Sequence, residues 1–316
     1  MKTLFYFNYM KVYLICIAKN ENKYIKEWTS WMLERGFDRI IICDNNVEDG
    51  ERVSDVLDDE RIVIKDYNSI EGVQPIAYTR EFLNYRNQCD WLFFCDCDEF
   101  LMLDDRYENV KDFLSEDCFR NVDIVRVNWK LFSGKTQNND FDVVDDNYNV
   151  VDRFKEPISH SQNTFAKSFI RSSIEYLPNT RVFGHGYHAN KNLVAVNELG
   201  KPCLNDWSKN CENESEASYE RCWLNHYPTK TIGEFVRQKL LRGGANRNPK
   251  RYNNCFKYWL TYNTRNEEEI LYGWKVVKEI EEKWKPKKLS AEVFHQILLN
   301  KERRNNYSKV VYQKES

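Results

Sequence analysis

Residues 90–101, DWLFFCDCDEFL, join an apolar run directly to three acidic residues. The apolar run is typical of a strand that is buried on both faces of a sheet. Burial of carboxylates at the end of such a strand costs several kcal/mol of free energy unless a cation or another partner compensates their charge. If the strand continues, its two-residue period puts Asp96 and Asp98 on one side and Glu99 on the other. The pattern predicts a hard divalent cation at Asp96 and Asp98, and the alternative is a solvated acidic loop.

The first hundred residues alternate between strand and helix patterns. The predicted strands are Val12–Ala18, Arg39–Cys43, Ile62–Lys65 and the run into Asp96, and the predicted helices are Glu21–Arg35, Glu51–Leu57 and Pro75–Arg86. This alternation predicts an α/β fold with a mostly parallel central sheet and helices on both faces. Ligands of such sheets bind beyond the carboxyl ends of the strands. We therefore expect residues 19–21, 44–45 and 96–99 to line one crevice.

The pattern changes after Leu103. We predict a short helix at Val110–Leu114 and strands at Ile124–Phe132 and Lys167–Arg171. A long acidic loop is predicted at Ser133–Asn149, and amphipathic helices are predicted at Ile232–Arg242 and Ile270–Trp284. The chain from Lys283 carries 9 basic and 3 acidic residues. This tail is interpreted either as a contact with an anionic membrane surface or as a solvated terminus.

Composition narrows the classes of function. The net charge of −2 excludes a protein that binds nucleic acid through a dominant basic field. The 10 cysteines include no C-x-x-C pair, so they indicate neither a zinc site nor a redox motif. No segment reaches the roughly 18 uninterrupted apolar residues that cross a bilayer. We expect a cytoplasmic protein with reduced cysteines.

Several motifs together resemble one group of enzymes. They are IAKNE (17–21) with Glu27-Trp28, Asp44-Asn45-Asn46, Gln74, WLFFCDCDEF (91–100), KSFI (167–170) ahead of His185 and His188, and NHYPTKT (225–231) followed by Glu234-Phe235 and Arg242-Gly243. Their order resembles a bacterial family 2-like group of glycosyltransferases related to glycosyltransferase family 92. The resemblance implies a GT-A fold over residues 1–245, with a Rossmann-like nucleotide-binding half at about 11–103 and an acceptor half at about 104–245. A helical, basic extension over 246–316 would follow.

The resemblance also implies roles. The protein would be a hexosyltransferase that moves a sugar from a nucleoside-diphosphate sugar, with UDP favoured, to a glycan or lipid-linked oligosaccharide in surface polysaccharide synthesis, with inversion. Asp96 and Asp98 would hold Mn²⁺ or Mg²⁺ against the diphosphate. The donor-binding residues would be Ala18, Lys19, Asn20, Glu21, Asp44, Asn45, Gln74, Asp96, Lys230 and Arg242. No nucleic acid is expected as a partner.

The third metal ligand and the catalytic base stay open. A distant histidine is expected as the third ligand, with His226 favoured over His185 and His188, whereas His160 and His295 are interpreted as structural. The candidates for the base that takes the acceptor proton are Glu99, Asp142, Asp145, Asp146 and Glu156. Two other functions remain: a sugar nucleotidyltransferase and a non-catalytic carbohydrate-binding protein. A nucleotidyltransferase would normally have a glycine-rich loop near the first strand, and residues 16–24 contain no glycine.

Overall fold

The computed structural model describes residues 10–46, 50–70, 72–134, 149–174, 182–183, 186–187, 193–204, 208–235, 259 and 262–263. Several predictions lie outside these residues: Asp142, Asp145, Asp146, His185, His188, Arg242, His295, the helix 270–284, and nearly all of the extension 246–316 with its basic tail. Among the described residues, no helix is long and apolar enough to cross a membrane.

Eleven strands and five α-helices are described. The strands are β1 (Val12–Ala18), β2 (Arg39–Asp44), β3 (Ile62–Asp66), β4 (Trp91–Phe94), β5 (Glu99–Leu103), β6 (Ile124–Leu131), β7 (Ala166–Arg171), β8 (Val182–Phe183), β9 (Gly186–Tyr187), β10 (Ala195–Asn197) and β11 (Cys222–His226). The helices are α1 (Asn22–Glu34), α2 (Gln74–Tyr85), α3 (Val110–Leu114), α4 (Val150–Arg153) and α5 (Ile232–Phe235). Short 3₁₀ turns cover Val53–Asp55, Asp117–Phe119, Ser161–Thr164 and Glu214–Glu216. The helix expected at 51–57 is therefore only a single 3₁₀ turn.

The main sheet has nine strands in the order β3-β2-β1-β4-β7-β6-β11-β5, and β10 lies beside β6. Strands β3, β2, β1 and β4 are all parallel. Strand β7 is antiparallel to both β4 and β6, and β11 is parallel to β6 but antiparallel to β5. The predicted α/β class with a mostly parallel sheet is confirmed. The parallel strands β1 to β4 all come from residues 11–103, whereas β5, from the same segment, lies at the other end of the sheet.

Two apolar cores lie on opposite faces of the sheet. The core on the α1 side contains Ile25, Trp28 and Met32, whereas α2 buries Ala77 and Phe82 in the other core. Burial of a large apolar side chain contributes about 1.5–3 kcal/mol, so these rows fix both helices on the sheet. The predicted placement of helices on both faces is confirmed.

The acidic stretch is a turn rather than the continuation of a strand. Strand β4 ends at Phe94, and the Glu99 N–H donates to the Asp96 carbonyl at 3.1 Å. The expectation that the strand runs on through Asp98 is therefore wrong, and with it the reason for placing Glu99 on the opposite side. The turn delivers Glu99 into β5, which the sequence analysis did not predict, at the edge of the sheet beside β11.

Candidate functional site

Pairing of β5 with β11 assembles an acidic group from distant parts of the chain. The register places His226 opposite Glu99, and the Tyr227 N–H donates to the Asp98 carbonyl at 2.9 Å. The His226 Nε2 lies 3.7 Å from the Asp98 Oδ1. One side-chain atom each from Asp98, Glu99 and His226 lies within 4.8 Å of the others, and all three residues are buried. This acidic group unites the predicted Asp98 and His226 and adds Glu99.

A buried lysine contacts both Asp96 and Glu99. The Lys167 ammonium lies 2.6 Å from the Asp96 Oδ2 and 3.3 Å from the Glu99 Oε1. Burial disfavours the ammonium charge, but Asp96 and Glu99 outweigh this effect and raise the pKa of Lys167. Lys167 therefore stays charged at neutral pH.

Glu99 is a crowded carboxyl group. Its Oε2 accepts from the Asp96 N–H at 3.1 Å and from the Cys95 thiol at 3.3 Å. Its Oε1 faces Lys167 but has no hydrogen bond to any donor that the structure describes. Burial raises the pKa of Glu99 to about 8, and Asp96 and Asp98 add to the rise while Lys167 opposes it. A further cation beside these carboxylates would relieve the repulsion.

Asp96 faces the start of α2 and remains accessible. Its Oδ1 accepts from the Gln74 Nε2 at 3.1 Å, with the Tyr78 hydroxyl at 3.5 Å. The Asp96 side chain is 34% exposed. The structure thus brings together Gln74 and Asp96, two of the residues predicted to bind the donor.

The loops after β1 and β2 brace each other. Both oxygens of Asp44 accept from its own loop: Oδ1 from the Asn46 Nδ2 at 2.8 Å and Oδ2 from the Val53 N–H at 3.1 Å. The Asn46 Oδ1 accepts from the N–H of Asn20 at 2.7 Å, and Asn20 has a φ of 53°. Asp44 therefore shapes the loop after β2, and Asn46 links that loop to Asn20 in the loop after β1. Asn46 is a residue of this site that sequence reasoning left without a role.

The other predicted donor-binding residues at these strand ends are buried or partly buried. Ala18 pairs with Asp44 in the sheet, and its carbonyl accepts from the Asn45 N–H at 2.8 Å. The Asn45 Nδ2 donates to the carbonyls of Tyr67 and Ile70. Glu21 is 5% exposed, and Lys19 is partly buried. The main-chain contacts place residues 18–21 and 44–46 at one end of β1 and β2, as expected.

Lys230 lies against α1. It is 2% exposed, and its ammonium stands 4.6 Å from the centre of the Tyr24 ring. A Cβ on Gly134 would lie 1.8 Å from the Lys230 carbonyl, so only glycine fits at position 134. Lys230 thus holds the segment after β11 on the helix that follows β1.

Two candidates for the catalytic base are described. Glu99 lies inside the acidic group, whereas Glu156 is exposed, with its carbonyl accepting from the Ser133 N–H at 3.0 Å. The predicted structural role of His160 fits its position, because its ring stacks on Tyr262 at 4.7 Å. Lys167 had no assigned role, although a charged residue inside an apolar strand pattern was a usable signal.

Comparison with known proteins gives partial matches. No family model matches the chain. A glycosyltransferase family 92 protein of Oryza sativa subsp. japonica is 31% identical over 101 residues, which cover 29% of this chain and 16% of the relative. One from Ricinus communis is 30% identical over 102 residues, 29% of this chain and 18% of the relative. The chain thus spans less than a fifth of the length of these relatives. The predicted resemblance to glycosyltransferase family 92 is confirmed for this part.

A solved structure is also similar at a low level. It is the galactosyltransferase LgtC, in complex with donor and acceptor sugar analogues, at 10% identity and a TM-score of 0.31. The alignment covers 81% of this chain and 98% of that chain.

Proposed function

We propose that this protein is a metal-dependent glycosyltransferase of GT-A type, a hexosyltransferase that uses a nucleoside-diphosphate sugar. The observation that carries the proposal is the acidic group of Asp98, Glu99 and His226 beside the carboxyl ends of the parallel strands. The similarity of part of the chain to glycosyltransferase family 92 supports the reaction class. Ligand binding at the carboxyl ends of parallel strands supports the location.

The residues of the acidic group fit a divalent cation. They offer two carboxylates and one imidazole within 4.8 Å of one another. Carboxylate oxygen suits Mg²⁺ and Mn²⁺, and imidazole is a common ligand of transition metals. Burial, together with Asp96 and Asp98, raises the pKa of Glu99 and so disfavours its ionised form, which a cation would stabilise. When bound, the ion would neutralise charge that develops on the leaving diphosphate.

The donor would lie across the carboxyl ends of β1, β2 and β4. Asp96 and Gln74 present a carboxylate and an amide side by side, and such groups bind hydroxyl groups and base edges. The loop braced by Asn46 and Asn20 lies at the neighbouring strand ends. This composition favours a UDP-sugar as the donor.

Transfer requires a hydroxyl group of the acceptor to attack the anomeric carbon while the bond to the diphosphate breaks. A carboxylate of the acceptor half takes the hydroxyl proton as the new glycosidic bond forms. Because Glu99 is fully buried in the acidic group, we propose that the catalytic base belongs to the acceptor half. We propose inversion at the anomeric carbon, a glycan or lipid-linked oligosaccharide as the acceptor, and a cytoplasmic role in surface polysaccharide synthesis, all on the strength of the family resemblance.

A panel of nucleoside-diphosphate sugars tests the proposal. The protein is incubated with each donor, with Mn²⁺, Mg²⁺ or a chelator, and release of the nucleoside diphosphate is measured together with the melting temperature. We expect one nucleotide class to raise the melting temperature and to be hydrolysed or transferred only with metal. Asp98→Asn should abolish both effects, whereas Asp104→Asn, which alters a partly exposed carboxylate just beyond the end of β5, should change neither.

Other outcomes of the panel would replace the proposal. Formation of pyrophosphate from a nucleoside triphosphate and a sugar phosphate would show a nucleotidyltransferase. Sugar binding without turnover of any donor would show a carbohydrate-binding protein. A metal-independent response to every donor would remove the role of the acidic group.

A further inference from the structure

Lys167 is a fully buried lysine that contacts two of the carboxylates in the acidic turn. It is 0% exposed, and it ends within hydrogen-bond distance of the Asp96 Oδ2, at 2.6 Å. Its ammonium also lies 5.8 Å from the centre of the Trp129 ring. Burial of a lysine costs substantial free energy unless carboxylates compensate its charge. The buried charge of Lys167 therefore depends on Asp96 and Glu99 for compensation.

The sheet fixes where the ammonium stands. Strand β7 pairs with β4 through Phe93 and Phe169, and β4 ends one residue later. Strand β7 extends past this end, and Lys167 lies two residues beyond Phe169, beside the acidic turn. On its other side it pairs with Val127 of β6. The ammonium is therefore positioned by two strands rather than by a surface loop.

We infer that Lys167 is a positioning residue that divides the acidic turn into two parts, one for the metal and one for the sugar nucleotide. Its short contact fixes the carboxylate of Asp96, which is not one of the three residues of the acidic group of Asp98, Glu99 and His226. Asp96 then faces Gln74 and the crevice, where it accepts hydroxyl groups of the donor. The inference rests on the proposed function, and it assigns to Lys167 a role that acts through Asp96.

The contacts of Asp96 support this division. A carboxylate has about four sites that accept hydrogen bonds. Lys167 fills one on Oδ2, and Gln74 fills one on Oδ1. The side chain is still 34% exposed, so a ligand in the crevice can reach it. Asp98 has an 11% exposed side chain and the His226 ring beside it. Two aspartates that are two residues apart thus have different surroundings.

The test compares donor affinity with metal affinity in Lys167→Met. Removal of an ammonium from beside two carboxylates cannot weaken their attraction for a divalent cation, and it frees Asp96 to turn toward the metal. We expect the KM for the donor to rise at least about tenfold, which corresponds to about 1.4 kcal/mol. The Mn²⁺ concentration for half-maximal activity should stay equal or fall. A role in folding alone would impair both affinities together.

Two further variants keep the inference testable if Lys167→Met folds poorly. Gln74→Leu removes the other contact of Asp96 and should also raise the donor KM while the Mn²⁺ requirement is unchanged. Asp96→Asn combined with Lys167→Met should lose no more donor affinity than Asp96→Asn alone, because Lys167 acts through Asp96. Circular dichroism and urea unfolding report the folding of each variant.

Different outcomes would overturn the proposed function and the role of Lys167. A wild-type protein that neither binds nor turns over any nucleoside-diphosphate sugar overturns the proposed function. An active wild type with fully additive effects of Asp96→Asn and Lys167→Met overturns the inference alone. Equal weakening of donor and metal affinity in Gln74→Leu would also overturn it.

Discussion

Two buried glutamates of this protein each lie beside a buried cation, and their surroundings differ. Glu234 accepts from the Tyr24 hydroxyl at 2.6 Å, from Arg153 at 2.5 Å and from the Thr231 hydroxyl at 2.8 Å. Burial raises its pKa, but Arg153 and these hydrogen bonds outweigh burial, so the pKa of Glu234 is lowered. Burial and neighbouring carboxylates instead raise the pKa of Glu99 to about 8.

The difference distinguishes a structural ion pair from a site where the ionised carboxylate is disfavoured and a further cation would stabilise it. The Glu234 carboxylate accepts hydrogen bonds from three side chains and lies beside one arginine, and these contacts join α1, α4 and α5. Around Glu99, Lys167 contacts the carboxylates of Asp96 and Glu99, and the Asp98 carboxylate faces His226. Perturbed pKa values of this second kind cluster at functional sites. The comparison therefore locates the candidate site independently of sequence similarity.

The largest expected effect on stability comes from breaking the structural pair. Arg153→Met leaves Glu234 buried without its cation, and such a loss costs about 3–5 kcal/mol. We expect the free energy of unfolding, measured by urea denaturation, to fall by this amount.

The double variant Arg153→Met with Glu234→Gln provides the control. It removes the stranded charge, so it should recover much of the loss. If Arg153→Met unfolds at the same urea concentration as the wild type, Glu234 and Arg153 do not stabilise the fold and the comparison fails.

The second prediction concerns pH and the Glu99 carboxyl group. Its pKa is 4.5 in a model compound and about 8 in the folded protein. Between these values the folded state binds more protons than the unfolded state, so the free energy of unfolding falls as the pH rises. With a chelator present, we expect a lower melting temperature at pH 8.5 than at pH 5.5. Glu99→Gln resembles the protonated acid and should flatten this dependence.

Glu234→Gln is the matched control for the pH experiment. Because the pKa of Glu234 is lowered, its contribution to stability is present above the unfolded pKa and is lost as the pH falls through the folded pKa. Between pH 5.5 and 8.5 it is ionised in both states. Glu234→Gln should therefore lower stability but keep the wild-type slope in this range. Equal slopes for wild type and Glu99→Gln would show that Glu99 is not the titrating group.

The third prediction tests the histidine of the acidic group. His226→Gln should weaken the affinity for Mn²⁺ at least about tenfold, because even partners of metal ligands contribute this much. The imidazole also contacts Trp129, with ring centres 4.3 Å apart and the planes tilted by 53°, so a small loss of stability is expected as well. Isothermal titration of the protein with Mn²⁺ measures the affinity.

His160→Gln is the control for this titration. Its ring contacts Tyr262 instead of the acidic group, so the Mn²⁺ affinity should equal that of the wild type. Unchanged Mn²⁺ affinity in His226→Gln would remove this histidine from the metal site.

Local patterns in the sequence predicted the parallel half of the fold. Strands β1 to β4 are apolar runs followed by polar residues, and both features are encoded within a few neighbouring positions. The carboxyl ends of such strands meet at one edge, so the loops at 19–21, 44–46 and 96–99 could be located in advance. No knowledge of distant pairing was required.

The remainder of the site depends on contacts between distant residues. Lys167 and Asp96 lie 71 residues apart, and only the extension of β7 past β4 brings them together. His226 meets Glu99 through the register of β5 and β11, and a strand does not encode the identity of its partner. The turn at 95–98 also escaped prediction, because no glycine or proline marks it. A period-two pattern assumes that the backbone stays extended, and here it does not.

The smallest expected effect concerns the hydroxyl group that completes the structural pair. Thr231 and Glu234 form a reciprocal capping box at the start of α5: the Glu234 N–H donates to the Thr231 Oγ1 at 3.3 Å, and the Glu234 Oε2 accepts from the Thr231 N–H at 3.0 Å. Thr231→Val keeps the shape of the side chain and should cost about 1 kcal/mol.

Thr29→Val is the matched control, because the hydroxyl of Thr29 donates only to carbonyls within its own helix. Urea unfolding should rank Arg153→Met, Thr231→Val and Thr29→Val in decreasing order of loss. An equal loss for the two threonine variants would mean that Glu234 is held by Arg153 and Tyr24 alone, and that the number of hydrogen bonds does not distinguish it from Glu99.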